Sequence, residues 1–302
     1  MNNFTQDYSS IYLYANKIVG AMLNLFGQLW YFFLAGIIIS ALIVVIWPER
    51  KLAAFCQKLR TSSGISICLA ALGGVISPIP TYATIPLLAA LFKVGAPAPV
   101  LFTFLVSSPL MNPALFSLTL GAFGYQMAVG RLLVAIVLGI AAGYAMQFLI
   151  SRNQLTGFIR SESKASGFSD STSFLNQFYR LSKFAGKYLV FGITIAALVK
   201  VLIPASWVAN LLGDRRSVSI PVAVAGGVPF YACGGAVIPV MQTLGDLGMN
   251  KGAILAFFIS GPATKVSTLV ALKAAMTRKT FILYLATVFT GALLFGFIYS
   301  IW

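Results

Sequence analysis

From Gln28 to Trp47 the chain reads QLWYFFLAGIIISALIVVIW, 20 residues without a formal charge. A helix of that length crosses a hydrocarbon core about 30 Å thick. The rest of the chain has the same character. Of 302 residues, 59% are hydrophobic and 9% charged, and the mean hydropathy is +0.91. A soluble domain carries roughly a quarter charged residues, so this chain has too little polar surface to cover a globule in water. The expected fold is an all-α polytopic membrane protein.

The amino-terminal MNNFTQDYSS has no basic segment ahead of a short apolar core, so no cleaved signal peptide is expected. Between residues 8 and 25, Ile11, Ala15, Ile18, Met22 and Leu25 recur at helical spacing around Lys17 and Asn24. That pattern suits a helix lying in the membrane interface.

The net charge of +15 arises from 21 Lys and Arg against 6 Asp and Glu. Basic residues of membrane proteins gather in cytoplasmic loops, and no soluble basic and aromatic module is present to take up nucleic acid. Cys56, Cys68 and Cys233 form no CxxC pair, and the chain has no histidine. No metal site, cofactor or disulfide framework is expected.

A shift of 153 residues superposes the interiors of two halves. Gly73-Gly74-Val75 falls on Gly226-Gly227-Val228, Pro86 on Pro239, Gly95 on Gly248, Ser107 on Ser260 and Pro109 on Pro262. Chance matches in apolar sequence favour Leu, Ala and Val, whereas these are mostly Gly and Pro. With three more residues of offset, Gly36 meets Gly192 and Pro48 meets Pro204.

The chain divides into an interfacial segment (1–25), a first repeat (26–150), a linker with an amphipathic helix (151–185) and a second repeat (186–302). Each repeat reads as about five membrane segments: a span ended by proline, two short apolar pieces, a longer piece interrupted by proline, and a closing span. The short pieces either cross thinly or fold as a re-entrant hairpin; both options give an odd number of crossings. The second copy is therefore expected upside down relative to the first. Arg50, Lys51, Lys58 and Arg60, the linker and Arg278-Lys279 all fall on one side, the cytoplasmic one by the positive-inside rule.

Helix breaks in lipid survive only where protein or a wet cavity covers them. Breaks at matched positions of two halves point to a binding site near the bilayer midplane. Pro78 and Pro80 pair with Pro229, and Pro109 with Pro262. Three residues beyond the latter prolines stand Asn112 and Lys265. A half-helix starting near each proline would present free N–H groups that attract anions, and Lys265 adds a full positive charge. The candidate substrate-binding residues are Ser107, Pro109, Asn112, Ser260, Pro262 and Lys265, with Tyr82, Tyr231 and Cys233 from the Gly/Pro-rich turns.

The stretch GGVPFYACGGAVIPVMQTLGDLGMNKGAILAFFISGPATKVSTL resembles the ArsP/YraQ-type predicted permeases. Their halves carry a P-x-C-x-C-G-x-x-P run, then L-x-x-x-G, then A-F-L-x-x-x-P-x-x-N. The first half, SPIPTYATIPLLAALFKVGAPAPVLFTFLVSSPLMNP, ends in the matching Pro109 and Asn112. The resemblance implies a multi-span permease of the bacterial inner membrane, in a family where some members export trivalent organoarsenicals. Two departures stand out. Of the family cysteines only Cys233 remains, with Pro80 and Tyr82 in the first copy, and Lys265 replaces the second asparagine. Trivalent arsenic takes soft thiolates, so this chain suits an anionic or carboxylate-bearing solute better, unless the lysine is a built-in counter-ion.

The leading functional expectation is a secondary transporter moving a small solute by alternating access. No Gly-x4-Gly-Lys-Ser/Thr loop is present to bind a nucleotide. The alternatives are an organoarsenical or metalloid efflux permease, a channel or membrane subunit of a larger complex, and an intramembrane enzyme built on Lys265 with Ser260 or Ser267. The chain is expected not to be an enzyme. Its expected partners are the solute, the lipid bilayer and, as an open option, further copies of itself.

Overall fold

The computed structural model describes residues 2–46, 64–77, 95–154, 174–213, 216–230 and 237–301, with Thr84, Leu88, Leu91, Phe92 and Phe158 between them. Its elements are the helices α1 (Asn2–Ile46), α2 (Gly64–Ile76), α3 (Ala98–Leu110), α4 (Pro113–Ser151), α5 (Phe174–Leu202), α6 (Ala205–Leu212), α7 (Arg216–Phe230), α8 (Val237–Asp246), α9 (Lys251–Thr264), α10 (Val266–Ala275) and α11 (Arg278–Ile301).

Asn16–Ile39, Ala98–Ser151 and Arg278–Ile301 are long and apolar enough to cross a membrane. Two bent pairs pass only when each is taken together: Leu189–Leu202 with Ala205–Leu212, at 101°, and Lys251–Thr264 with Thr268–Ala275, at 51°. The long stretch Ala98–Ser151 is itself interrupted, at Met111-Asn112 and again at Gly124, whose φ of 78° and ψ of −178° are not helical.

Three details concern how the helices join. No break separates residues 25 and 26, because α1 is continuous. None separates 185 and 186 either, since α5 contains no proline and runs from Phe174 into the apolar span. The stretch after Pro204 holds α6, lying nearly across the end of α5.

The core is built from α3 and α9. Every residue from Pro99 to Leu110 and from Gly252 to Thr264 is buried. A helix that is apolar and buried on all sides belongs at the centre of a bundle. By contrast, α1 exposes Leu23, Trp30 and Leu42, and α11 exposes Ile282, Leu294 and Ile298, the surface expected against lipid chains.

The same local geometry recurs 153 residues apart. Ahead of α3, Gly95 has φ 94°; its N–H donates to the Phe92 carbonyl at 3.0 Å and that of Ala96 to Leu91 at 3.0 Å. Ahead of α9, Gly248 has φ 101°; its N–H donates to Gly245 at 3.0 Å and that of Met249 to Leu244 at 2.9 Å. This paired bonding closes a helix end and needs a residue in the left-handed region, which glycine enters without steric cost. Pro97 and Asn250 then lead into the core helices with nearly equal torsions, φ/ψ −63°/131° and −60°/135°.

Packing repeats as well. α2 lies on α3 as α7 lies on α9, and α3 lies on α4 as α9 lies on α11. A Cβ built on Gly74 would sit 2.0 Å from Ser107 Oγ, and one built on Gly227 would sit 2.2 Å from Ser260 Oγ. These two glycines admit the serine-bearing face of the core helix. Gly74→Ala and Gly227→Ala should each destabilise the protein by about 1–3 kcal/mol through overpacking. Adding Ser107→Ala or Ser260→Ala, respectively, should recover part of the loss, as read by thermal unfolding in detergent.

Candidate functional site

The two helix breaks lie just beyond the prolines. Pro109 and Pro262 sit inside the last turns of α3 and α9, which continue to Leu110 and Thr264. The sequence places the new half-helices at the prolines; the structure starts them at Pro113 and Val266. The reason is local. A proline removes the bond to the carbonyl four residues earlier, yet a helix tolerates it for a residue or two when the end is near. In the first unit a second proline, Pro113, forces Asn112 into extended backbone, φ −153° and ψ 169°.

Asn112 and Lys265 are therefore the capping residues of α4 and α10. Asn112 Oδ1 accepts from the Leu115 N–H at 2.8 Å, satisfying one of the free amides of the first turn. Lys265, with φ −50° and ψ 133°, makes no side-chain cap. An ammonium only donates, so the first-turn amides of α10 receive no side-chain acceptor from it. Both side chains are half-buried, and they make no hydrogen bond to one another.

The other expected residues divide. Ser107 and Ser260 are wholly buried and face Gly74 and Gly227. Ser107 Oγ donates to the Thr103 carbonyl at 2.9 Å, whereas Ser260 Oγ has no hydrogen-bond partner among the described residues. Tyr82, Tyr231 and Cys233 lie outside the described residues, as do Pro78 and Pro80, while the Pro229 backbone is helical within α7. The last carbonyls of α9 also need donors. Thr264 Oγ1 bonds Ser260 O at 2.7 Å, and the Tyr284 hydroxyl reaches from α11 to Ala263 O at 3.0 Å.

One charged residue in the core carries no expectation from the sequence. Arg131, in α4, is 2% exposed and donates from Nη1 to Thr119 Oγ1 at 2.9 Å. Twelve residues along a straight helix cover about 18 Å, farther than an arginine reaches. The bond thus requires α4 to fold back at Gly124 into two limbs. The available signal was a lone charge inside an apolar run. Repeat matching hides it, because the equivalent position is Tyr284.

At the basic end of the fold, Lys279 Nζ donates to the Gln154 carbonyl at 2.9 Å, tying the end of α4 to the start of α11. A cleft of about 510 Å³ opens there, lined by Leu149, Asn153, Gln154 and Lys279.

Asn112→Ala should cost about 1 kcal/mol of stability through loss of the cap, and Asn112→Asp should restore most of it. Comparing the melting temperatures of the two variants tests this.

Residues 15–301 match the ArsP_1 family, described as predicted permease. A UPF0718 protein of Methanocaldococcus jannaschii is 20% identical over 304 residues, covering 80% of this chain and 83% of the relative. UPF0718 protein YcgR of Bacillus subtilis is 24% identical over 276 residues, with 88% and 90% covered. A Streptococcus mutans protein, named as a subunit of a two-component membrane permease complex, is 22% identical over 268 residues, with 85% and 86% covered. No solved structure matches. The chain is a multi-pass cell-membrane protein and belongs to the ArsP_1 permease family.

Proposed function

We propose that this permease is a secondary transporter that moves a small anion-bearing solute by alternating access, through a site between its two units where the helix breaks meet. The observation that carries the reading is the matched pair of breaks in the buried core. Asn112 and Lys265 stand 153 residues apart in sequence, each at the junction of two half-helices. Their parent helices α3 and α9 touch. Open backbone at that depth is sustainable only where protein or a wet cavity covers it.

The arrangement of the units supports a two-fold relation. Equivalent helices pack on each other, α1 on α5, α3 on α9 and α4 on α11, as a two-fold axis requires. An odd number of crossings per unit, with the basic segments on one side, puts that axis in the membrane plane and gives inverted repeats. The anion preference follows from the asymmetry of the caps. Asn112 fills its own helix start, whereas Lys265 leaves amide donors open and adds a cation beside them.

The chain acts without chemistry on its solute. A Ser–Lys enzyme built on Ser260 would need the hydroxyl on the amine, and Ser260 Oγ instead lies against Gly227 with no bond to Lys265, while the Ser267 side chain lies outside the described residues. An arsenical substrate finds little support, since Cys233 alone keeps a thiol in the matched motif. The Streptococcus mutans relative favours a second reading, in which this chain is the membrane half of a two-chain permease.

Uptake into proteoliposomes of the purified chain tests the proposal, with acetate, sulfate and inorganic phosphate as probes and glycerol as the neutral control. Saturable uptake of an anion is expected, falling about tenfold in Lys265→Ala, the effect of losing roughly 1.4 kcal/mol of charge interaction. Asn112→Ala should have a smaller effect, and glycerol entry should not change. Equal anion transport by wild type and both variants would overturn the site. Uptake that appears only with a second polypeptide would support the two-chain reading.

A further inference from the structure

Arginine in a membrane span ordinarily runs its head to the interface. Arg131 does not. Tyr125 and Gln126, about 7–9 Å nearer the turn along the same limb, are exposed, yet Arg131 stays buried. Its contacts account for the direction it takes. Nη1 bonds Thr119 Oγ1, and Thr119 Oγ1 donates to the Leu115 carbonyl at 2.6 Å. Leu115 is the residue whose N–H Asn112 caps. The guanidinium carbon also lies 4.4 Å from the centroid of Phe258, on α9 of the other unit, and Phe123 meets that ring edge-on at 5.5 Å. Phe258 stands four residues before Pro262, so it is the residue whose carbonyl the proline deprives of its helical donor.

We propose that Arg131 is a positioning residue for transport: through Thr119 and Phe258 it ties the capped start of α4 to the broken helix α9. The two breaks then hold one relative position and separate only when the guanidinium leaves the ring. This rests on the paired breaks forming the solute site. A desolvated cation–π contact shifts a two-state equilibrium by roughly tenfold or more, enough to set which arrangement of the units prevails. The matched position supports the role. Tyr284, 153 residues on, is also fully buried, bonds its own unit's broken helix at Ala263 and stands edge-on to Phe102 of the other unit, with centroids 6.4 Å apart. Both positions thus bond within their own unit, Arg131 at Thr119 and Tyr284 at Ala263, and meet an aromatic ring of the other unit.

The test uses the full chain in membrane vesicles, with Cys56, Cys68 and Cys233 replaced by Ser and a single reporter cysteine, Lys265→Cys, labelled by a water-soluble maleimide. Arg131→Gln and Thr119→Val should each raise the labelling rate about tenfold, and the double variant should go no further than Arg131→Gln alone. Arg131→Lys, which keeps a charge and a donor, should stay near the parent rate. A control substitution, Met146→Cys, at a position fully buried on the second limb of α4, should label no faster in any of them. Unchanged labelling at 265, or an equal rise at 146, would overturn the proposal. Thr119→Val decides the question if Arg131→Gln does not insert. Labelling that responds while Lys265→Ala leaves anion uptake intact would keep the tie and reject the solute site.

Discussion

A backbone N–H or C=O left without a partner in lipid costs several kcal/mol, and that penalty organises this molecule. Helices α3 and α9 each end inside the bundle, where orphan amides and carbonyls would otherwise face hydrocarbon. Asn112 caps one start, Thr264 and Tyr284 bond the end of α9, and the surrounding helices bury Pro99 to Leu110 and Gly252 to Thr264. The tight Gly74–Ser107 and Gly227–Ser260 contacts belong to the same solution, since only a bare Cα lets the neighbouring helix come close enough to cover the core helix.

The two units share a backbone and differ in what they hang on it. The turns at Gly95 and Gly248 have the same bonds, and the caps Asn112 and Lys265 fall at the same distance beyond them. Yet one break carries a neutral amide that satisfies its own helix and the other a cation that cannot. Farther along, one unit buries an arginine and the other a tyrosine. In the transporter reading the common backbone supplies two similar arrangements of the units, and the unlike side chains give the pocket its sign and its latch.

The lipid-facing helices serve a simpler purpose. Exposed Leu23, Trp30 and Leu42 on α1, and Ile282, Leu294 and Ile298 on α11, present apolar surface outward, so polar groups are pushed inward or to the ends. Arg131 went inward and found Thr119 and Phe258. Lys279 went to the end and bonded the start of the linker at Gln154.

The uncharged runs were enough to require membrane helices, because no other open structure satisfies its backbone in lipid. The pairing of Gly and Pro at one spacing was enough to reveal the repeat, because those residue types encode backbone torsion and close approach directly, as Gly95 with Gly248 and Gly74 with Gly227 bear out. The exact ends of the core helices were not legible at Pro109 and Pro262. A helix stops where its last carbonyls find other donors, and one of those donors, Tyr284, is 21 residues from Ala263. The burial of Arg131 was hidden for the same reason. A charge in an apolar run goes to water or to a partner according to what packs beside it, and Phe258 is brought there from the other half of the chain only by the tertiary fold.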